Sequence, residues 1–172
     1  MREVDRLGLL LNEFRALALP QHLDLQSTDI KEVIEEVLAI QMRVYAAAGC
    51  SVTLEFENDR PPVRLDMAKM KQVILNLCNN AIEAMPEGGC LTLKSYHSGQ
   101  SIVLEIGDTG VGVPDEMDVF ALFKTTKAGG TGLGLPIVQQ IISAHNGTIN
   151  YTTEPGHGTT FKISLPAPDL GI

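Results

Sequence analysis

The chain has 172 residues, of which 44% are hydrophobic and 20% are charged, and its formal net charge is −8. This balance is typical of a globular protein with enough apolar side chains for one core, so we expect one domain with a short appendage. The sequence has no cluster of cations and no basic segment interleaved with aromatic residues, which argues against a nucleic-acid partner.

The three cysteines, Cys50, Cys78 and Cys90, lie far apart in the sequence. Because no Cys-x-x-Cys pair occurs, we interpret them as free thiols in a reducing cytoplasm. No apolar run approaches the roughly 20 residues that a membrane span requires, and charges at Arg2 and Glu3 argue against a signal peptide. We therefore predict a cytoplasmic segment without membrane contact, which leaves open a membrane anchor upstream in a parent protein.

The first segment, residues 2–18, is predicted to be a helix that ends before Pro20. Its apolar residues recur at alternating intervals of three and four, which is typical of a coiled-coil seam. The seam consists of Val4, Leu7, Leu11, Phe14 and Ala18. Because a lone helix of this length is marginal in water, we expect it to pack either on a helix of a second chain or on its own domain.

The rest of the chain mixes predicted helices and strands. In chain order they are a helix over about 30–48, a strand over 52–56, a helix over about 66–85, strands over 90–96 and 102–107, a helix over about 133–144, and strands over 148–153 and 159–165. Ser27, Thr28 and Asp29 offer caps for the second helix, Asp66 is the candidate N-cap of the third, and Gly49 ends the second.

Residues 109–131 show little periodicity and are predicted to form a long loop, a feature that in compact domains is usually functional or disordered. Helices and strands do not alternate strictly. We therefore predict an α+β fold in which three main helices pack on a mixed, mostly antiparallel sheet, with the N-terminal helix as an appendage.

Asn76 and Asn80 are four residues apart on the third predicted helix, so their side chains share one helical face. Amide oxygens suit Mg²⁺, which takes few protein ligands and completes its shell with waters and substrate phosphates. The alternative is that these polar side chains bond a neighbouring loop, and from these two residues alone we favour that alternative.

Asp108 follows a predicted strand and stands beside Gly110 and Gly112. A carboxylate in this position can accept a hydrogen bond from an exocyclic amine such as N6 of adenine, and the glycines allow a close backbone approach or a positive φ. The alternative is an Asp-Thr-Gly turn that closes the strand. The hydroxyl of Thr159, just before the last strand, could reach the same base pocket.

Gly130, Gly132 and Gly134 precede a predicted helix, whose N-terminus can bind an anion through its unpaired N–H groups. The Gly-x-x-x-x-Gly-Lys-[Ser/Thr] pattern of a Walker loop is absent. The segment before these glycines adds two cations and two hydroxyls, at Lys124, Thr125, Thr126 and Lys127. The alternative is a solvated loop.

Taken together and in order, these clusters resemble the histidine kinase catalytic domain of two-component systems, within the gyrase, Hsp90, histidine kinase and MutL ATP-binding superfamily. The matching segments are the N box Asn76-Leu-Cys-Asn-Asn80, the glycine boxes Asp108-Thr-Gly-Val-Gly112, Gly130-Thr-Gly-Leu-Gly-Leu135 and Gly156-His-Gly-Thr-Thr-Phe161, and the F box Phe120-Ala-Leu-Phe123. The resemblance covers residues 26–166 and is greatest to sensor kinases of the nitrogen-regulation type.

The resemblance implies a Bergerat-type α/β sandwich that holds ATP and Mg²⁺ under a lid over residues 113–131. By matching positions, Asn76 and Asn80 hold Mg²⁺ and the phosphates, and Asp108 reads adenine with help from Gly112 and Thr159. The other implied ATP contacts are Gly110, Lys124, Thr126, Lys127, Gly130, Thr131, Gly132, Leu133, Gly134 and Leu135.

Two further implications concern the lid and the phosphate charge. Phe120 and Phe123 are expected to anchor the lid by packing. Many histidine kinases carry a basic residue three positions after the second N-box asparagine, where this chain has Glu83. The phosphate charge is therefore expected to be met by Lys124 or Lys127, and Lys127 joins the two asparagines as a candidate catalytic residue.

The phosphoacceptor box, roughly His-Glu-x-x-Asn-Pro-Leu, is absent from the sequence. The resemblance makes residues 1–20 look like the second helix of the dimerisation and phosphotransfer hairpin, followed by the catalytic domain over 26–166 and a tail over 167–172. The first helix of that hairpin would lie upstream of Met1. The parent protein is expected to form a homodimer and to signal to the receiver domain of a response regulator.

Three functions remain open on the sequence. The first is a kinase module that passes the γ-phosphoryl group of ATP to a histidine upstream. The second is a nucleotide-binding regulatory module without transfer activity. The third is an ATPase of the gyrase or MutL kind, which we disfavour because those enzymes place a catalytic glutamate at the position of Asn76, and an amide cannot deprotonate water.

Overall fold

A computed structural model of the chain describes residues 3–19, 21–57, 62–114, 117–125 and 130–167. The elements are α1 Glu3–Ala18, β1 Gln26–Thr28, α2 Ile30–Ala47, β2 Cys50–Phe56, β3 Val63–Leu65, α3 Met67–Glu83, β4 Gly89–Ser98, β5 Ser101–Asp108, α4 Gly134–Ala144, β6 Thr148–Glu154 and β7 Gly158–Pro166. Each predicted helix and strand is present, and the predicted α+β fold is confirmed.

Five strands form the main sheet in the order β2-β4-β5-β7-β6. The β2–β4 pair is parallel and the other three pairs are antiparallel, as the sequence predicted. Strand β5 is central, and its last residue, Asp108, is paired with Leu91 of β4. On the other side, Gly107 is paired with Thr160 of β7. The central strand thus delivers the Asp108 carboxylate to the end of the sheet between two neighbouring strands.

The short strands β1 and β3 pair with each other in an antiparallel ribbon, with Gln26 opposite Leu65. Neither strand was predicted. The residues of β1 are polar and show no alternation, so this strand exists because of its partner and not because of local propensity.

The helices α2, α3 and α4 form the second layer, and α3 contacts both of its neighbours and the sheet. The buried residues of α3 recur with a helical period: Met70, Val73, Ile74, Leu77, Cys78 and Ala81. This face packs in one core with sheet residues such as Leu93 and Leu104. Asn76 and Asn80 lie on the same helix and are half-buried. The buried face of α3 holds in place the helix that carries them.

Of the three caps offered for α2 the structure uses Asp29, and the predicted cap of α3, Asp66, is confirmed. The Asp29 carboxylate accepts a hydrogen bond from the backbone N–H of Lys31 at 2.9 Å, and that of Asp66 accepts one from Lys69 at 3.0 Å. Each bond satisfies one of the backbone donors that the first helical turn leaves unpaired. The starts of α2 and α3 are thereby fixed by local sequence.

Helix α1 packs on α4 through Leu10 and Leu17, which lie against the core. The side-chain amide of Gln140 donates to the backbone oxygen of Leu17 at 3.2 Å. On the predicted seam, Leu11 and Phe14 are 68% and 58% exposed. One side of α1 therefore packs on its own domain, and the described part of the seam faces solvent.

The three cysteines carry free thiols, and Cys50 and Cys78 are buried. Burial raises the pKa of the Cys78 thiol to about 12. Within the described ranges, none of the helices combines the length and the apolar character needed to cross a lipid bilayer.

Candidate functional site

The candidate site follows one face of α3. Asn76, Asn80 and Ala84 recur at intervals of four residues, so they share this face over about 12 Å of helix axis. At one end, the Asn76 side-chain amide donates to the backbone oxygen of Gly134 at 3.4 Å. At the other end, the backbone oxygen of Ala84 accepts a hydrogen bond from Val111 at 3.0 Å. Helix α3 thus connects the start of α4 with the glycine loop that follows β5.

The bond from Asn76 to Gly134 defines how the Asn76 amide is oriented. Because its NH₂ group donates to the backbone, its Oδ1 atom is the other branch of the amide and can act only as an acceptor. The alternative interpretation, a polar side chain that bonds a neighbouring segment, is therefore correct for Asn76. That bond is also compatible with a ligand role for Oδ1, because it holds the amide in place.

The Asp108 carboxylate is half-buried at the end of β5. Its Oδ1 atom accepts a hydrogen bond from the backbone N–H of Gly110 at 2.8 Å and one from Thr159 at 3.3 Å. The first bond is the Asp-Thr-Gly turn that the sequence offered as an alternative. The second brings the predicted base-pocket residue Thr159 beside Asp108.

Positions 110 and 112 accept only glycine, because a Cβ atom at either one would overlap with neighbouring backbone atoms. Gly110 is buried, and a Cβ atom there would collide with the backbone oxygen of Ala84. Gly112 has a φ of +77°, and its Cβ would lie 2.7 Å from the backbone oxygen of Glu154. The loop after Asp108 is therefore clamped between the end of α3 and the end of β6.

Thr159 is 5% exposed and faces Thr153 of β6, with 3.0 Å between the two hydroxyl oxygens. The Thr153 hydroxyl also accepts from the backbone N–H of Val113 at 2.9 Å and donates to the backbone oxygen of Gly158 at 3.1 Å. Sequence reasoning missed Thr153, which lies in none of the five motifs. Its position opposite Thr159 in the β6–β7 hairpin was the signal that could have found it.

The start of α4 provides the other end of the site. The helix begins at Gly134 without a side-chain cap, and the backbone N–H of Leu133 donates to the Thr131 hydroxyl at 3.3 Å. The N–H groups of Gly134 and Leu135 belong to the first turn, for which the helix itself has no acceptor, and Pro136 has no N–H. This geometry suits an anion.

The described part of the lid is anchored by buried Val119 and by the ring of Phe120. The Phe120 ring contacts Tyr151 and Phe161 edge-on, with centroid distances of 6.0 and 6.4 Å. The prediction that Phe123 also anchors the lid by packing is wrong, because its side chain is 60% exposed. Its backbone has a φ of 61° and donates to the backbone oxygen of Gly132 at 3.0 Å, so the chain at Phe123 is held by the main chain and not by the ring.

Some predicted contacts remain predictions. Thr126 and Lys127 lie outside the described residues. Lys124 and Gly130 are exposed, and the described contact of Lys124 is a backbone bond to Ala121. The structure therefore joins Asn76 to Gly134, and Asp108 to Gly110 and Thr159. The predicted cation contacts are not among the described interactions.

The larger part of the chain matches one known protein family. The sequence profile described as "Histidine kinase-, DNA gyrase B-, and HSP90-like ATPase" matches residues 65–169, a range that contains all the candidate site residues. The chain belongs to this ATPase family. The matched range includes Asp108, the glycine loops and the start of α4.

Among curated proteins, the ATPase domain is similar to sensor histidine kinase ZraS of Escherichia coli K12, with 36% identity over 169 residues. The alignment covers 96% of this chain and 36% of ZraS. The chain thus spans about a third of the length of that relative.

Solved structures give the same assignment. The histidine kinase AdeS of Acinetobacter baumannii superposes with a TM-score of 0.82 at 30% identity, covering 96% of this chain and 81% of that chain. The histidine kinase ThkA in complex with the response regulator TrrA superposes with a TM-score of 0.81 at 27% identity, covering 95% and 48%. Within the ATPase family, the chain is therefore the ATP-binding catalytic domain of a histidine kinase, as the resemblance predicted.

Proposed function

We propose that this domain binds Mg·ATP along α3 and transfers the γ-phosphoryl group to a histidine on a helix outside the 172 residues. The observation that carries the proposal is the bond between Asn76 and Gly134. It places the side chain expected to hold Mg²⁺ against the helix terminus expected to hold the phosphates.

The adenine end of the proposed site is formed by Asp108, Thr159 and the loop at Gly110 and Gly112. An ionised aspartate only accepts hydrogen bonds, and the exocyclic amine of adenine is a donor. A hydrogen bond to a charged group contributes about 1.5–3 kcal/mol, which is enough to select the base.

The phosphate end is formed by Asn76, Asn80 and the start of α4. Mg²⁺ bound through the amide oxygens of the two asparagines would neutralise phosphate charge and fix the orientation of the triphosphate. The N–H groups of Gly134 and Leu135 supply donors beside it. Lys124 and Lys127 remain the proposed cations of the lid.

Transfer is favoured over hydrolysis by the residue type at position 76. Phosphoryl transfer asks mainly for positioning and charge neutralisation, which amides and helix N–H groups provide. Hydrolysis of the gyrase kind needs a base to activate water, and Asn76 cannot accept that proton.

The proposed acceptor is a histidine of a helical hairpin to which α1 contributes the second helix. None of the four histidines in this chain stands in a phosphoacceptor box. The exposed seam residues Leu7, Leu11 and Phe14 suit the bundle of a homodimer. The proposed downstream partner is a receiver domain, because ThkA, a structural neighbour, forms a complex with a response regulator. We propose a cytoplasmic location for this domain.

The test is labelling in trans. The domain is incubated with γ-labelled ATP, Mg²⁺ and a separately produced helical hairpin that carries a phosphoacceptor histidine, and acid-labile label on the hairpin is measured. We expect label on the hairpin, none with the Asn80→Ala variant, and none on the domain alone. ATP binding without any label on the hairpin would favour the regulatory module, and label on the domain itself would contradict an external acceptor.

A further inference from the structure

Thr153 and Thr159 form a cross-strand pair in the β6–β7 hairpin. Their hydroxyl oxygens are 3.0 Å apart. The pair lies beside the proposed adenine contact, because the backbone N–H of Thr159 donates to Asp108. The direction of the hydrogen bond between the two hydroxyls therefore decides whether Thr159 is a donor or an acceptor toward a base bound next to Asp108.

A count of protons fixes that direction. A threonine hydroxyl has one proton to donate and two lone pairs with which to accept. The Thr153 hydroxyl accepts from the Val113 N–H at 2.9 Å and lies 3.1 Å from the backbone oxygen of Gly158, which can only accept. All three contacts of Thr153 are satisfied only if it donates to Gly158 and accepts from both Val113 and Thr159.

The proton of Thr159 is then committed to Thr153. Any further partner of the Thr159 oxygen must be a donor, so Thr159 becomes an acceptor toward a ligand. Asp108, when ionised, is an acceptor as well. A base held in the proposed site would therefore meet acceptors, and no donor, on these two side chains.

We propose that Thr153 is a positioning residue that holds the Thr159 hydroxyl as an acceptor and thereby makes the site prefer a base with an amine at C6. The proposal rests on the nucleotide site described above. An amine at C6 offers two N–H donors, one for each acceptor. An oxo group at C6 is itself an acceptor and would find no donor in this pair.

The decisive measurement is the ratio of affinities for ATP and inosine triphosphate, which carries an oxo group at C6. In Thr153→Val the Thr159 hydroxyl loses its acceptor, so it can turn and donate to that oxo group. We expect the preference for ATP to fall about 3- to 10-fold, the size of one net hydrogen bond. Thr153→Ser keeps the hydroxyl and should keep the wild-type ratio.

The ratio separates positioning from general support of the loop. Loss of the bond from Val113 alone would weaken both nucleotides equally, so an unchanged ratio in Thr153→Val would overturn the proposal. If the valine variant does not fold, Thr159→Val replaces it: loss of the proposed acceptor should lower the preference for ATP, and a raised preference would overturn the proposal. Wild-type protein that binds neither nucleotide would instead refute the proposed function, which is a distinguishable result.

Discussion

The imidazole of His145 accepts a hydrogen bond from the backbone N–H of Asp66 at 3.0 Å, which ties the end of α4 to the start of α3. Because Nε2 is the acceptor, the ring proton is on Nδ1, which donates to the backbone oxygen of Ile141 at 2.8 Å. Further along, at the middle of α3, Asn76 bonds Gly134 at the start of α4. The two contacts hold α3 and α4 antiparallel, and the candidate site is at one end of the pair.

Replacing His145 should therefore loosen this pair of helices. In His145→Phe the Asp66 N–H loses its acceptor in a buried position, which costs about 1–3 kcal/mol of unfolding free energy. Urea unfolding measures this loss, and His22→Phe, at an exposed position, is the control. Equal stabilities of the two variants would mean that the bond between His145 and Asp66 does not support the fold.

The N-cap of α3 should give the protein a defined acid sensitivity. Burial alone would raise the pKa of Asp66, but hydrogen bonds from the N–H groups of Lys69, Asp24 and Ala68 outweigh it and lower the pKa below its ordinary value of 3.8. A lowered pKa means that the carboxylate stabilises the fold above pH 3.8 and that this contribution is lost as the pH falls through the folded-state value.

Asp66→Ala should accordingly be less stable than wild type by about 1–2 kcal/mol at pH 7, the usual cost of removing an N-cap. The difference should shrink below pH 3.8, where the wild-type carboxylate takes up its proton. Urea unfolding of both proteins from pH 7 to pH 3 measures it. A difference that stays constant over this range would show that the carboxylate charge is not involved.

Asp108→Asn should weaken ATP binding by about tenfold or more, because about 1.5–3 kcal/mol of charged hydrogen bonding is at stake. Calorimetric titration with ATP gives the affinity. The control is Glu105→Gln on the same strand, whose carboxylate accepts from the Tyr96 hydroxyl at 2.7 Å and has no proposed role at the base. Unchanged affinity in Asp108→Asn would remove Asp108 from the adenine site.

Asn80→Ala should abolish the Mg²⁺ dependence of ATP affinity, because Mg²⁺ loses a protein oxygen ligand. Asn79→Ala, at the adjacent residue, is the matched control. Asn79 is exposed, and its side-chain oxygen accepts from the Tyr45 hydroxyl at 3.4 Å, away from the proposed ligands. Titrations with and without Mg²⁺ should separate the two variants; a persistent Mg²⁺ effect in Asn80→Ala would refute the ligand role.

Gly110→Ala should reduce both stability and ATP affinity. The new Cβ meets the backbone of Ala84 at the end of α3, so the loop after Asp108 must shift, at a cost of about 1–3 kcal/mol. Gly8→Ala in α1 is the control, because no atom lies within 4 Å of its added Cβ and alanine favours a helix. Thermal unfolding should show a lower melting temperature for Gly110→Ala and a higher one for Gly8→Ala than for wild type. Equal melting temperatures of the two variants would mean that the loop accommodates the added methyl group.

Local signals explain which parts of the fold could be predicted. The caps at Asp29 and Asp66 need only their own helices, and the alternation over β4 reflects its one buried face. By contrast, β1 and β3 are short and depend on each other across the chain. A pattern within either segment could not reveal that pairing.

The site was predicted through motifs, and motifs locate residues without describing their surroundings. Asp108 and Thr159 are brought together as expected. Phe123 matches the F box, yet its ring is exposed and its contact with Gly132 is made by the backbone. Thr153 lies outside all five motifs, because its role depends on its partner Thr159 on the neighbouring strand.

The backbone bond between Phe123 and Gly132 has a thermodynamic consequence. The asparagines are on a helix supported by the core, whereas this bond joins the lid at Phe123, whose ring is exposed, to the glycine segment that precedes buried Leu133. ATP held by both parts would act as a reversible cross-link between them. Its contribution to folding grows as RT ln(1 + [L]/Kd), about 2.7 kcal/mol at a hundredfold excess over Kd, so the melting temperature of this domain would report the local supply of nucleotide.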